Sequence, residues 1–216
     1  PPPRGCWIDR EIREIMIAIV DYDICNLRSV QKAVEYLGGE AVITRDAGVI
    51  AAADRLILPG VGAFGDAMEN LRKFGLIDPI HRFVETGKLF LGICLGMQLI
   101  FEESEEIGLH TGLGLIPGRI VRFDIPKEYK VPHIGWNRLT MTEHPLWDGI
   151  GTEPYVYFVH SYHVERDVEG TIATAEYGYE FPAAVAKGNV MGTQFHPEKS
   201  GDVGMGILKN FMELEI

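Results

Sequence analysis

"GKLFLGICLGMQLIFEESEE" (residues 87–106) decides the fold. Its opening, "KLFLGI" (88–93), is a continuous apolar run of the kind found in strands buried on both faces of a parallel sheet. "LGMQLIFEESEE" (95–106) reads as a helix whose acidic end is a solvated face. Between strand and helix stands Gly92-Ile93-Cys94-Leu95-Gly96, a cysteine between two glycines at the turn.

The same alternation extends upstream. "MIAIVDYD" (16–23) is apolar and β-branched, and "NLRSVQKAVEYLGG" (26–39) follows with Asn26 as N-cap and Leu27, Val30, Val34 and Leu37 at helical spacing. "EAVITRD" (40–46) and "RLILPG" (55–60) are short strands, each followed by a helical pattern. Downstream the character changes. "GRIVRF", "YVYFVHSYHVE" and "TIATAEYG" are strands joined by short turns, and "AAVAKGNVMGTQF" (183–195) is a hairpin through Lys187-Gly188-Asn189. "GMGILKNFMEL" closes the chain as a helix. The pattern predicts an α/β fold: a mostly parallel sheet flanked by helices, with an antiparallel extension. One domain is expected over residues 16–216, preceded by an extension at residues 1–15 without the layout of a secretory signal.

Composition narrows the function. The net charge of −11 disfavours a phosphate-tracking nucleic-acid binder, and no apolar run has the length of a membrane helix. Three widely spaced cysteines (Cys6, Cys25, Cys94) do not suggest a disulfide framework, so a reducing cytoplasm is expected.

Two segments could carry chemistry. "GVGAFG" (60–65) matches a dinucleotide-binding turn, with Glu85 twenty residues beyond Gly65. Position argues against that reading. Glu85 precedes the strand "KLFLGI" instead of ending it, and the turn follows the third strand of the chain. The second segment, around Cys94, has the strand–nucleophile–helix layout of a hydrolase elbow with sulfur in place of oxygen. Glycines are required on both sides by crowding, and the start of a helix favours negative charge on the sulfur. A buried cysteine is by default a small hydrophobe, so a base is needed before the elbow means more.

His81, His110, His133 and His144 have no acidic residue two away in extended chain, and surface or packing roles suffice for them. His160 and His163, three apart in one expected strand, point to opposite faces and make a poor metal pair. His196 differs. In "VMGTQFHPEKS" it precedes Pro197 and Glu198, and residues two apart in extended chain share a side. A carboxylate on one ring nitrogen orients the other as proton acceptor, which makes Cys94, His196 and Glu198 a candidate triad. The Leu95 amide supplies one oxyanion donor, and "PGVGAFG" is well placed to supply a second. No cofactor or metal is called for.

In these residues the chain resembles the class I glutamine amidotransferases. "GICLGMQLIF", "LPGVGAFG" and "FHPEKS", with "NLRSVQKA", "PHIGWN" (132–137) and "YFVHSYH" (157–163), are similar to one branch of that family, the glutaminase subunits of imidazole glycerol phosphate synthases. The resemblance covers Met16 to the C-terminus and implies a flavodoxin-like fold. It also implies Cys94 as nucleophile on the glutamine carboxamide, His196 as proton donor to ammonia, and Glu198 as its holder. Gly60, Val61 and Gly62 would form the oxyanion loop with Leu95, and Gly62, Gln98, Ser161 and Tyr162 would hold glutamine. The implied partner is a (βα)8-barrel cyclase subunit that takes the ammonia in histidine biosynthesis, with Trp136, Asn137, Tyr157 and Lys199 at the interface. One departure stands out: "DYDICNLRS" lacks the glycines usual in the first loop, and Asp23, Ile24 and Cys25 take positive φ less easily. Two other readings stay open at this level, a glutaminase serving a different aminating pathway and a non-enzymatic module that keeps the fold.

Overall fold

The computed structural model describes residues 15–23 and 26–215; the expected N-terminal extension other than Ile15 lies outside them, as do Ile24 and Cys25. The chain begins β1 (Met16–Val20), α1 (Leu27–Tyr36), β2 (Glu40–Thr44), α2 (Ala47–Ala52), β3 (Arg55–Gly60), α3 (Phe64–Lys73), α4 (Ile77–Glu85), β4 (Phe90–Cys94) and α5 (Leu95–Leu99). Short strands follow: β5 (Glu103–Ser104), β6 (His110–Thr111), β7 (Arg119–Arg122), β8 (His133–Arg138), β9 (Thr140–Met141), β10 (Tyr155–His160), β11 (Tyr162–Val164), β12 (Thr171–Glu176), β13 (Glu180–Lys187) and β14 (Val190–Thr193), then α6 (Gly201–Glu213).

The main sheet has the order β2-β1-β3-β4-β14-β13-β12-β9. From β2 to β14 all neighbours are parallel, and from β14 to β9 all are antiparallel. Successive strand residues face opposite sides. Ile17, Ile19, Ile57, Leu91 and Ile93 meet Val30, Val34, Leu208 and Phe211 from α1 and α6. Ala18, Val20, Leu56, Leu58 and Phe90 meet Phe64, Met68, Leu71 and Phe83 on the other side. Burial on both faces explains why these strands read as unbroken apolar runs instead of alternating ones. In an open α/β sheet a site forms beyond the carboxyl ends of the strands; the winding here reverses between β1 and β3, and Cys94 ends β4, the next strand along.

Two expectations need correction. The helix after Cys94 does not run to the acidic stretch; it stops at Leu99. The carbonyls of Leu99, Ile100 and Phe101 accept amides of Leu113, Leu115, Ile116 and Gly114, so a later segment takes the bonds that a further helical turn would need. Glu103 and Ser104 become a strand paired with β6 and β7. Likewise "YVYFVHSYH" is two strands broken at Ser161, and they belong to separate sheets. The break turns His160 and His163 toward a common centre, each ring packing on Phe123 at 5.0 and 4.6 Å.

Candidate active site

Three strand ends converge. Cys94 ends β4 opposite Gly60 at the end of β3, and Thr193 of β14 pairs with Ile93 on the other side. His196 follows three residues beyond Thr193, just where β14 leaves the sheet.

The turn at Cys94 is tight. Its φ of 53° and ψ of −108° lie in a strained region for a side-chain-bearing residue, a cost that persists only where the surroundings fix it. The flanking glycines explain how. A Cβ on Gly92 would lie 2.5 Å from the Gly96 carbonyl oxygen, and one on Gly96 would lie 1.7 Å from that of Leu58. The sulfur sits within 3.8 Å of the Val159 carbonyl oxygen and of the Gln194 side-chain nitrogen. Leu95, first residue of α5, has an amide with no partner inside the helix.

The His196 Nδ1–H donates to Glu198 Oε1 at 2.8 Å, and both side chains are sealed from solvent. Pro197 and Glu198 form a short 3-10 turn, which brings the carboxylate back under the ring. Burial alone would lower the His196 pKa, but the nearby Cys94 sulfur and the hydrogen bond and charge of Glu198 outweigh it and push the imidazole up to about 9. Its Nε2 is buried without a hydrogen-bond partner among the described residues, as is Glu198 Oε2. The free Nε2 is the edge able to take and return a proton, and such contacts tighten when substrate is bound.

A cavity of about 320 Å³ opens on Cys94. Val61, Gly62 and Leu95 line it on the side of the glycine-rich loop, and Gln98, Ser161 and Tyr162 on the other. Gly60 stands beside Cys94 in the sheet and outside the lining. The Gln98 side-chain nitrogen is committed, donating to the Tyr162 carbonyl at 2.9 Å and to Gln194 Oε1 at 3.1 Å. Gln98 therefore braces the wall that Tyr162 forms.

His160 is part of that wall and begins a group of buried neutral histidines. His160 Nδ1–H donates to the Tyr162 carbonyl at 2.9 Å, so its Nε2 accepts from His133 Nδ1–H at 3.2 Å. His163 donates to the Val164 carbonyl and accepts from the Tyr179 hydroxyl, both at 2.7 Å. Burial lowers all three pKa values, that of His133 to about 4.

Sequence reasoning missed several of these residues. Glu106, expected on a solvated helix face, lines the cavity and accepts from the Phe64 amide at 2.6 Å. Gln194 is fully buried against the cysteine. Asn26 occupies the N-cap position of α1 yet makes no capping bond. Its side chain donates to Glu198 Oε1 instead. Of the expected interface residues, Trp136 and Tyr157 pair across β8 and β10 with rings 6.0 Å apart, and Lys199 is exposed on the turn after His196. Asn137 points elsewhere: its side chain bonds the Glu176 carbonyl.

A cysteine elbow, a buried histidine–carboxylate pair and a cavity beside the glycine-rich loop, on a flavodoxin-like sheet, are the parts that thiol-dependent acyl transfer requires. The family model for "Glutamine amidotransferase class-I" matches residues 18–214, and the chain belongs to that family. The similarity narrows further to the imidazole glycerol phosphate synthase subunit HisH. The HisH subunit of Sulfurimonas denitrificans is 56% identical over 91% of this chain and 97% of its own length. That of Syntrophotalea carbinolica is 53% identical over 92% and 100%. Among solved structures, PurLQS from Thermotoga maritima has the same fold, with a TM-score of 0.73 at 20% identity, covering 93% of this chain and 98% of that one.

Proposed function

We propose that this chain is the glutaminase subunit of an imidazole glycerol phosphate synthase, acting through Cys94, His196 and Glu198. The observation that carries the residue assignment is the strained Cys94 elbow, which opens on the cavity and acts on the sealed His196–Glu198 pair behind it. His196 Nε2 takes the thiol proton, Cys94 sulfur adds to the side-chain carboxamide carbon of glutamine, and the oxygen takes up charge against the Leu95 amide and a donor from Val61 or Gly62. His196 Nε2 delivers a proton to the departing nitrogen, leaving a glutamyl thioester and free ammonia. Water, deprotonated by the same Nε2, then cleaves the thioester to glutamate and restores the thiol. Glu198 holds the Nδ1 proton throughout. Glu106, a carboxylate on the cavity wall, suits the α-ammonium group of the substrate.

The ammonia goes to a (βα)8-barrel cyclase partner in the cytoplasm. Ile134, Trp136 and Tyr155 expose 59%, 56% and 55% of their surface on the β8–β10 ribbon, an apolar face of the sort that partner docking covers. Tyr157 of that ribbon accepts the His196 amide at 3.0 Å through its carbonyl, and its own amide donates to the Ser200 hydroxyl at 2.9 Å. Contact there therefore reaches the catalytic turn in one step. Residues from 16 onward form the one working domain of this reading.

A diazo-ketone analogue of glutamine tests the assignment. Peptide mapping should find the adduct on Cys94, and label on another cysteine with Cys94 untouched would overturn it. With the cyclase present, Cys94→Ala should end glutamine-dependent synthesis while added ammonium still supports the partner's reaction.

A further inference from the structure

We propose that Asn26 is a positioning residue for the triad, its side-chain amide fixing the Glu198 oxygen that receives the His196 Nδ1 proton; the inference rests on the triad reading above. Glu198 Oε1 accepts from Asn26 Nδ2 at 2.5 Å and from His196 Nδ1 at 2.8 Å. Its other oxygen is buried and unpartnered among the described residues, so these two bonds set the orientation of the carboxylate. The torsion that a carboxylate turns about is broad, and a sealed carboxylate with one bond is free to rotate away from the ring.

Asn26 is placed for this at some expense. Its backbone has φ 92° and ψ 8°, a left-handed conformation that asparagine tolerates better than most residues. The helix that it begins forgoes a cap, which an asparagine in that position usually provides. The loop leading to it is pinned. Asp23, in the position where the sequence lacks the expected glycine, has φ 65°, and its amide bonds Asp21 Oδ1 at 3.2 Å. Arg45 reaches both Asp21 and Asp23, at 2.6 and 2.9 Å, and lies over the Phe74 ring at 4.2 Å. Exposed pairs of this kind contribute little stability; their effect here is to tie both ends of the turn to the end of β2.

The same loop touches the opposite wall of the site. Tyr22, fully buried, donates its hydroxyl to the Pro59 carbonyl at 2.7 Å. A Cβ on Gly60 would come within 2.3 Å of that hydroxyl, so the strand end leading to Val61 and Gly62 fits only as glycine. Tyr22 thus reaches the oxyanion segment while Asn26 reaches the triad carboxylate. Cys94 at the end of β4 and His160 on β10 are the titratable groups that act on His196 from other elements, and exposed Lys199 neighbours Glu198 on its own turn.

The test is glutamine hydrolysis by Asn26→Gly and Asn26→Asp, each with the cyclase subunit bound. Both replacements suit the left-handed backbone, so they probe the side chain and not the fold. For Asn26→Gly, kcat should fall about tenfold, the scale of a hydrogen bond to a charged group, with KM within about twofold because Asn26 does not line the glutamine cavity. Asn26→Asp places two carboxylates together. At high pH they repel and neither donates, whereas a shared proton taken up at lower pH restores a donor to Glu198. Its rate relative to the unsubstituted enzyme should therefore climb severalfold from pH 9 to pH 6. A merely structural role would scale the profile without changing its shape. Asn26→Gly at the unsubstituted rate, or an Asn26→Asp ratio flat with pH, overturns the proposal. Cys94→Ala separates the two levels: if it still hydrolyses glutamine at the normal rate, the triad reading itself fails. If it is inactive while Asn26→Gly is unimpaired, only the positioning of Glu198 by Asn26 fails.

Discussion

Glu198→Gln isolates the charge on the triad carboxylate. The replacement keeps the shape, and Asn26 Nδ2 decides which way the new amide faces. Only an oxygen can accept from Asn26, and that same oxygen is the one that accepts from His196 Nδ1. The ring therefore keeps its tautomer and loses the negative charge alone. The interval between 6.5 and about 9 for His196 corresponds to about 3 kcal/mol of preference for the charged ring. That preference is what remains after burial has opposed it, and Cys94 and Glu198 share the rest; a loss of about 1 to 3 kcal/mol is expected, from the difference between a charge-assisted and a neutral hydrogen bond up to the whole net preference. In the rate this is a kcat lower by roughly 10- to 100-fold, since imidazolium forms in the transition state. KM for glutamine should stay within about threefold, because Glu198 is not among the residues lining the cavity. Steady-state glutamate release by the assembled enzyme measures both. A fall in kcat below threefold would refute the charge argument. A loss near 10⁴-fold would mean that the amide flips and the wrong tautomer is held, as an asparagine in place of the triad aspartate does in serine proteases.

Other outcomes follow from the same geometry. Glu106→Gln should raise KM for glutamine about tenfold with kcat little changed, the signature of lost ground-state contact with an ammonium group; equal falls in kcat and kcat/KM would place Glu106 in the chemistry instead. Gly96→Ala should destabilise the chain by more than the ~1–3 kcal/mol of ordinary overpacking, because its Cβ would meet the Leu58 carbonyl at 1.7 Å; denaturant unfolding checks this. His133, His160 and His163 have folded pKa values below 6.5, so their stabilising effect is complete above that pH and is lost as pH falls toward about 4. The unfolding midpoint should drop over that window, and His133→Gln should flatten the drop. His196 has the opposite sign: its contribution is full below 6.5 and is lost as pH rises through about 9, a decline that Glu198→Gln should reduce.

The parts legible in sequence were those whose chemistry is local. Gly92, Cys94 and Gly96 crowd one another within a single turn, and His196 and Glu198 are two residues apart, so spacing alone exposes them. The parallel strands were visible because burial on both faces leaves no polar position to interrupt them. Asn26 and Glu106 were read as a helix cap and a solvated face because their real partners are 172 and 42 positions away. The helix after Leu95 was overextended for a related reason: its carbonyls are taken by amides beyond residue 112, which no local pattern announces. His160 and His163 were assigned to opposite faces on the assumption of one continuous strand, and the break at Ser161 reverses that geometry.

β14 lies at the centre of the eight-stranded sheet although it is the last strand in order among the described residues. It pairs in parallel with β4 and antiparallel with β13, and His196, the proposed base, follows directly behind it. A nascent chain still short of residue 190 has its nucleophile and glycine-rich loop but an open seam where β14 belongs. Both margins of that seam are unpaired strand edges, templates for mispairing with another chain. Closure of the seam and arrival of the base are thus one event in biogenesis. A ribosome stalled before it holds a chain that releases no ammonia and is exposed to aggregation; the enzyme becomes active only in the step that also makes it safe.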